Sequence, residues 1–211
     1  MTTIRLKEFD ISKVSNNAIC ICVGRRETGK SVLARDIVKK AKSIVNCTVI
    51  NPTVESKNDY LAVVPNISIY TRYDPKITEA HMVNNSNTES CLVLDDCFFD
   101  DSWIRDESLV SIFTRKIGLC IITVPYPYGM PDTMKKCVDY VFLLREPYVS
   151  NRGNLYHKYG SAFPSFEVFC KIMDEYTENY GCIVIDTTSQ SNTLEDRVFS
   201  YRQVLKLSPT L

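Results

Sequence analysis

Residues 24–31 read Gly-Arg-Arg-Glu-Thr-Gly-Lys-Ser, and no other stretch of the chain restricts the fold as tightly. Gly24 and Gly29 allow backbone angles and close approach that a side chain would block. The N–H groups of such a loop, and of the helix it opens, converge on anionic oxygens. In the pattern GxxxxGK[ST] the lysine, here Lys30, reaches the β- and γ-phosphates of a nucleotide, and the hydroxyl, here Ser31, ligates Mg²⁺. Arg25, Arg26, Glu27 and Thr28 supply the rest of the cradle. The sequence leaves open whether the Arg25 and Arg26 side chains meet phosphate or solvent.

The flanks suit that reading. Ala18–Val23 (AICICV) is a short continuous apolar run, as expected of a strand buried on both faces. From Lys30 to about Ala41 the pattern is helical, with Val32, Leu33, Ile37 and Val38 on one stripe. Further strands are expected at Ile44–Ile50, Ile67–Tyr70, Cys91–Leu94, Leu119–Val124, Val138–Leu144 and Cys182–Ile185. Helices are expected at Ile77–Val83, Asp106–Lys116 and Phe163–Glu175, with a polar loop at Asn84–Thr88. Strands alternating with helices predict an α/β fold with a mostly parallel sheet flanked by helices. Ligands in such folds bind beyond the carboxyl ends of the strands.

The apolar run Cys91–Leu94 delivers Asp95-Asp96 to such an end. This fits a Walker B, in which Asp95 would hold Mg²⁺ through water and Asp96 would polarise the attacking water; a solvated Asp pair in a loop is the plainer alternative. Between Ser31 and Asp95 there is room for a helix, one or two strands and another helix. That spacing favours the additional-strand (RecA-like) P-loop NTPases over P-loop kinases and GTPases. No NKxD guanine-reading motif follows, which favours ATP over GTP.

Composition narrows the partners. The 211 residues suit one domain, with the core at about 18–147 and an extension at about 148–211. Lys plus Arg and Asp plus Glu are both 25, giving zero formal charge. A strong nucleic-acid binder usually carries a basic excess, so any DNA contact must come from local charge or from assembly of several subunits. The pairs Lys39-Lys40 and Lys135-Lys136 are the basic candidates, each equally readable as a solvated helix face. No apolar run nears the length needed to span a bilayer, and MTTIRLKEFD lacks an apolar signal core. The expected compartment is cytosol-like. Among nine cysteines, Cys20, Cys22, Cys91, Cys120 and Cys182 lie in apolar runs and read as buried thiols rather than zinc ligands. His81 and His157 are isolated and call for no functional reading.

From about Ala18 to Pro147 the chain resembles the genome-packaging ATPases of large nucleocytoplasmic DNA viruses, the poxvirus-type branch of the FtsK–HerA superfamily. GRRETGKS, CLVLDDC, IFTRK before a strand, and YPYGMP followed by DYVFLLRE carry the likeness. The resemblance implies an ATP- and Mg²⁺-dependent homo-oligomeric ring that moves double-stranded DNA into a capsid. It further implies a capsid or internal membrane protein as partner, and the host cytoplasm, with the virion, as location. Lys30 and Ser31 match the Walker A pair, and Asp95 and Asp96 the Walker B pair. Arg115 matches an arginine that acts on a neighbouring subunit's nucleotide, although a helix-end cation favoured by the helix dipole is the plainer reading. The family's sensor Gln is replaced by Pro125, with Thr123 a weak substitute, and Lys116 stands where His is usual. These departures imply a divergent member with slow or partner-dependent hydrolysis. Arg145-Glu146 reads as a surface pair after a strand. Tyr126 and Tyr128 among three prolines read as a rigid turn or as a loop facing DNA or a subunit. Two rivals remain: a soluble P-loop kinase, which needs an Arg-rich lid and an acceptor pocket, and a catalytically weak nucleotide-binding scaffold.

Overall fold

The computed structural model describes residues 4–41, 44–53, 57–64, 66–85, 89–97, 101–126 and 130–203. The expected loop residues 86–88 and the Pro127-Tyr128-Gly129 part of the proline turn lie outside them. The strands are β1 (Lys7–Glu8), β2 (Ile19–Val23), β3 (Asn46–Ile50), β4 (Asn66–Tyr70), β5 (Ser90–Asp95), β6 (Leu119–Val124), β7 (Tyr140–Leu143), β8 (Gly181–Asp186) and β9 (Val198–Arg202). The helices are α1 (Lys30–Lys40), α2 (Lys57–Leu61), α3 (Pro75–Asn84), α4 (Glu107–Arg115), α5 (Asp132–Lys135), α6 (Val149–Tyr159) and α7 (Phe166–Tyr176).

The strands of the described residues all join one sheet in the order β1-β9-β8-β7-β2-β6-β5-β3-β4. Pairing is parallel except at β7–β8 and β8–β9. The order explains the long spacing between loop and acidic pair. The chain leaves β2, crosses to β3 and β4 at the far edge, and returns to β5 before β6 fills the gap beside β2. An additional strand thus separates β2 from β5, as the sequence spacing predicts.

Alternation within β2 shows why its run is continuously apolar. Ile19, Ile21 and Val23 join the core on one face, and Cys20 and Cys22 the core on the other. The first face is covered by α3 to α7, through residues such as Leu109, Met134, Leu155 and Phe169. The second is covered by α1, through Leu33, Ala34, Ile37 and Val38, and by Tyr60 of α2. Each fully buried Leu or Ile contributes about 1.5–3 kcal/mol, so the two cores dominate stability. The five cysteines read as buried thiols are at most 2% exposed. No helix among the described residues is long and apolar enough to cross a membrane.

The extension after residue 148 is part of the sheet: β8 pairs with β7, and β9 links β8 to β1. Arg145 and Glu146 are not a surface pair. Glu146 is buried, accepting from Tyr148 N at 2.9 Å and Asn151 Nδ2 at 3.2 Å at the start of α6. Arg145 turns instead to the Asp174 carbonyl, at 3.2 Å.

Candidate nucleotide site

The loop lies at the carboxyl end of β2, and its glycines serve approach. A Cβ on Gly24 would stand 2.7 Å from Cβ of Leu144, on the chain leaving β7. Gly29 has φ 96°, in the left-handed region, and caps α1. Ser31 follows in the first turn of α1. Lys30 is 6% exposed, and its amine donates to the loop's own Arg25 carbonyl at 3.0 Å. A phosphate oxygen is a stronger partner for an ammonium than a neutral carbonyl. Burial holds the Lys30 ammonium below the usual lysine range, while Asp96 and then Asp95 pull it back up. Both carboxylates therefore act on this lysine. The Arg25 guanidinium lies 4.6 Å from the centre of the Tyr148 ring, so that side chain is held by an aromatic face; Arg26 is exposed.

Register brings the acidic half to the loop. In β5 and β6, Asp95 is opposite Thr123; in β3 and β5, Ile50 is opposite Leu94, so Asn51 follows beside Asp95. Asp95 is 1% exposed and accepts four hydrogen bonds. Ser31 Oγ at 3.0 Å and Thr123 Oγ1 at 2.6 Å donate to Oδ1. Asn51 Nδ2 at 2.6 Å and Tyr60 OH at 2.9 Å donate to Oδ2. Burying a charge demands such pairing, and two oxygens with four donors fill a carboxylate's accepting capacity. Tyr60 is fixed in turn by Arg35 of α1, whose guanidinium lies 5.5 Å from its ring centre and pairs with Asp59 at 3.2 Å. Burial, then the Asp95 charge, pushes the Tyr60 phenol well up, so it stays a donor.

Asp96 behaves differently. Its φ of 51° is left-handed, a conformation Asp tolerates better than most residues. Its N–H donates to Thr123 Oγ1 at 3.0 Å and to Thr123 O at 3.2 Å. Its carboxylate has no hydrogen-bond partner among the described residues, so it is free to engage a ligand. Thr123 thus contacts both halves of the acidic pair, a larger part than its sequence position suggested. Pro125, just beyond β6, is exposed and brings no polar group.

The donor set suits Mg²⁺: a serine hydroxyl and a carboxylate oxygen 3.0 Å apart. That ion keeps several waters and takes one or two protein oxygens plus substrate phosphates.

Arg115 is not brought to this site. The next residue, Lys116, pairs with Asp139, whose other oxygen accepts from Ile19 N at 2.9 Å, at the first residue of β2. The loop departs from the last residue of β2, about 13 Å of strand away. Arg115 is exposed at that opposite end of the sheet. Asn51 and Tyr60 were missed by sequence reasoning. Asn51 comes directly after the expected strand Ile44–Ile50 with nothing in the sequence to single it out, and no motif marks Tyr60.

No family model matches the chain. An uncharacterized protein of Acanthamoeba polyphaga mimivirus is 26% identical over 221 residues, covering 93% of this chain and 76% of that protein. One of Invertebrate iridescent virus 3 is also 26% identical, covering 95% and 85%. Among solved structures, the genome packaging NTPase B204 of Sulfolobus turreted icosahedral virus 2, in complex with ATP-gammaS, aligns with TM-score 0.62. Identity there is 16%, over 90% of this chain and 98% of that one. The chain therefore shares the α/β P-loop ATPase fold of B204, a mostly parallel sheet flanked by helices.

Proposed function

We propose that the chain is an ATP-hydrolysing motor that moves double-stranded DNA into a viral capsid, acting as a homo-oligomeric ring seated on a capsid or internal membrane protein in the host cytoplasm. The observation that carries the catalytic part is the Ser31–Asp95 hydrogen bond, at 3.0 Å, across the intervening β6. It joins a phosphate loop to a buried carboxylate at the carboxyl ends of the strands. The DNA part is supported by the fold shared with B204, itself named a genome packaging NTPase, and by sequence relatives in large DNA viruses.

In this reading the loop N–H groups and the Lys30 ammonium hold the triphosphate and take up charge as the γ-phosphoryl departs. Ser31 and, through water, Asp95 would hold Mg²⁺, which would supply charge neutralisation to the phosphates. Asn51, Tyr60 and Thr123 keep Asp95 in one orientation. Asp96, whose carboxylate has no competing partner among the described residues, orients the attacking water. Arg115 would serve a neighbouring subunit, since it lies at the far end of its own sheet.

Phosphate release from ATP and Mg²⁺, with and without double-stranded DNA, tests the proposal. The motor reading expects basal turnover that DNA accelerates, and loss of nucleotide binding in Lys30→Ala. Turnover only with an acceptor molecule would instead indicate a kinase, and nucleotide binding without turnover a scaffold.

A further inference from the structure

Beside the phosphate loop lies a cleft of about 500 Å³, bounded by Glu27 and Thr28 of the loop, by Arg145, and by the Glu178–Tyr180 turn. Four observations mark it as built to take a ligand. First, Asn179 and Tyr180 have φ 50° and 60°, with Gly181 N bonded to Glu178 O at 3.0 Å. Two consecutive left-handed residues make a type I′ turn, which Asn and Gly favour. A bulky aromatic at such an angle is a strained outlier, of the kind that clusters at ligand clamps. Second, Tyr180 lines the cleft and is 46% exposed, so its aromatic ring is open to a ligand there. Third, the turn is tied to the loop. Gln203, just past β9, is 5% exposed, and its Nε2 lies 3.4 Å from both Gly29 O and Tyr180 O. Fourth, Arg145 is braced by the Asp174 carbonyl at 3.2 Å and Glu178 at 3.6 Å, leaving a held guanidinium plane on the same cleft.

We propose that this cleft holds the base of the bound nucleoside triphosphate, with the Tyr180 ring and the Arg145 guanidinium as its stacking surfaces, and that it accepts adenine and guanine alike. The proposal rests on the nucleotide reading of the loop. An aromatic ring and a guanidinium both stack on any base. A cleft of this volume is in the range of small-molecule sites. Base-edge reading, by contrast, needs uncommitted polar groups, and most here are spent. Thr28 Oγ1 donates to Arg25 O at 2.8 Å, and Thr177 Oγ1 to Met173 O at 2.5 Å. Arg145 is spent as above. What remains is the Asn179 amide, the Tyr180 hydroxyl and the Glu27 carboxylate, all exposed and without a hydrogen-bond partner among the described residues. An amide carries donor and acceptor together and can turn either way. It therefore serves both purine edges.

The test is equilibrium binding, in Mg²⁺, of the non-hydrolysable methylene analogues of ATP and GTP and of inorganic tripolyphosphate. The parent is expected to bind the two purine analogues within about threefold of each other, and tripolyphosphate more weakly. Tyr180→Ala should weaken both purine analogues by roughly tenfold, the cost of a lost base–aromatic stack. It should leave tripolyphosphate within about twofold. Tyr180→Phe keeps the ring and should bind as the parent does; Tyr180→Leu keeps bulk without the ring and should lose as Ala does, which covers a poorly folded alanine variant. Equal loss for tripolyphosphate would make Tyr180 a mere brace of the loop and overturn the proposal, as would unchanged nucleotide binding or a tenfold preference for one purine. A parent that binds tripolyphosphate as tightly as the analogues sinks the base site and leaves the phosphate loop standing. A parent that binds none of the three sinks the nucleotide reading itself.

Discussion

Thr123→Val isolates the contact between the two halves of the site. Thr123 is 0% exposed, and its hydroxyl donates to Asp95 Oδ1 at 2.6 Å while accepting from Asp96 N at 3.0 Å. Valine nearly matches threonine in volume, so no cavity opens. Asp96 N keeps the Thr123 carbonyl, at 3.2 Å, so no buried N–H is orphaned. What is lost is one hydrogen bond to a buried charge, and such bonds contribute about 1.5–3 kcal/mol. For a chain of this length each kcal/mol moves the melting midpoint by about 2–4 °C, so a fall of roughly 3–12 °C is expected. Urea unfolding at fixed m-value measures the loss. A double-mutant cycle with Asp95→Asn then assigns it: bonded neighbours couple by about 0.5–3 kcal/mol, and a value near 2 is expected here. With only Ser31 left on Oδ1, the carboxylate is held more loosely on that side, although Asn51 and Tyr60 still hold Oδ2, and turnover should fall by about tenfold for each 1.4 kcal/mol of transition-state stabilisation withdrawn. A change in stability below about 0.5 kcal/mol together with an additive cycle would refute the view that Thr123 orders the acidic pair.

Other expectations follow from particular side chains. His81 is 2% exposed, its Nε2 has no hydrogen-bond partner among the described residues, and burial lowers its pKa from 6.5 to about 4. The unfolded chain therefore takes up this proton first. Its contribution is whole above pH 6.5 and falls by about 3 kcal/mol as pH drops to 4; His81→Gln should flatten the urea-midpoint profile in that window, and an unchanged slope would contradict the reading. Arg115→Ala should bind ATP normally and hydrolyse it about 10³–10⁵-fold more slowly if the residue acts across an interface. Mixing it with Lys30→Ala should restore some turnover in an oligomer, and no recovery at any ratio counts against the finger. Lys135, bonded to Asp132 at 2.7 Å, and Lys136 mark one basic surface. Lys135→Glu with Lys136→Glu should lower DNA-stimulated hydrolysis and spare the basal rate, with DNA binding that weakens steeply in salt.

The reach of the sequence follows local pattern. Strands buried on both faces, such as β2 and β6, are continuous apolar runs and were legible to within a residue. The loop and the acidic pair were legible because each is a short motif with its own mechanism. Less was visible where tertiary context decides. The α6 sequence, VSNRGNLYHKY, is polar and carries Gly153, so it has little apolar period; it holds through Arg152, buried and bonded to Glu146 O at 2.6 Å, and through Leu155. The two-residue β1 exists only by pairing with β9. Asn51 and Tyr60 reach Asp95 from 44 and 35 residues away, and only the strand order makes them neighbours. Gln203 likewise meets Gly29 across 174 residues. Arg115 was legible as a basic helix end, but its distance from its own loop came only from the fold.

The most direct measurement is phosphate release from ATP by the parent and by Asp96→Asn, alongside nucleotide affinity for both. The Asp96 carboxylate has no hydrogen-bond partner among the described residues, so the amide should leave folding and binding intact while removing the group that accepts the water's proton. The account predicts affinity within about twofold and turnover lower by about 10²–10⁴-fold, the usual worth of a positioned acid–base group. Turnover by Asp96→Asn equal to the parent's would contradict it.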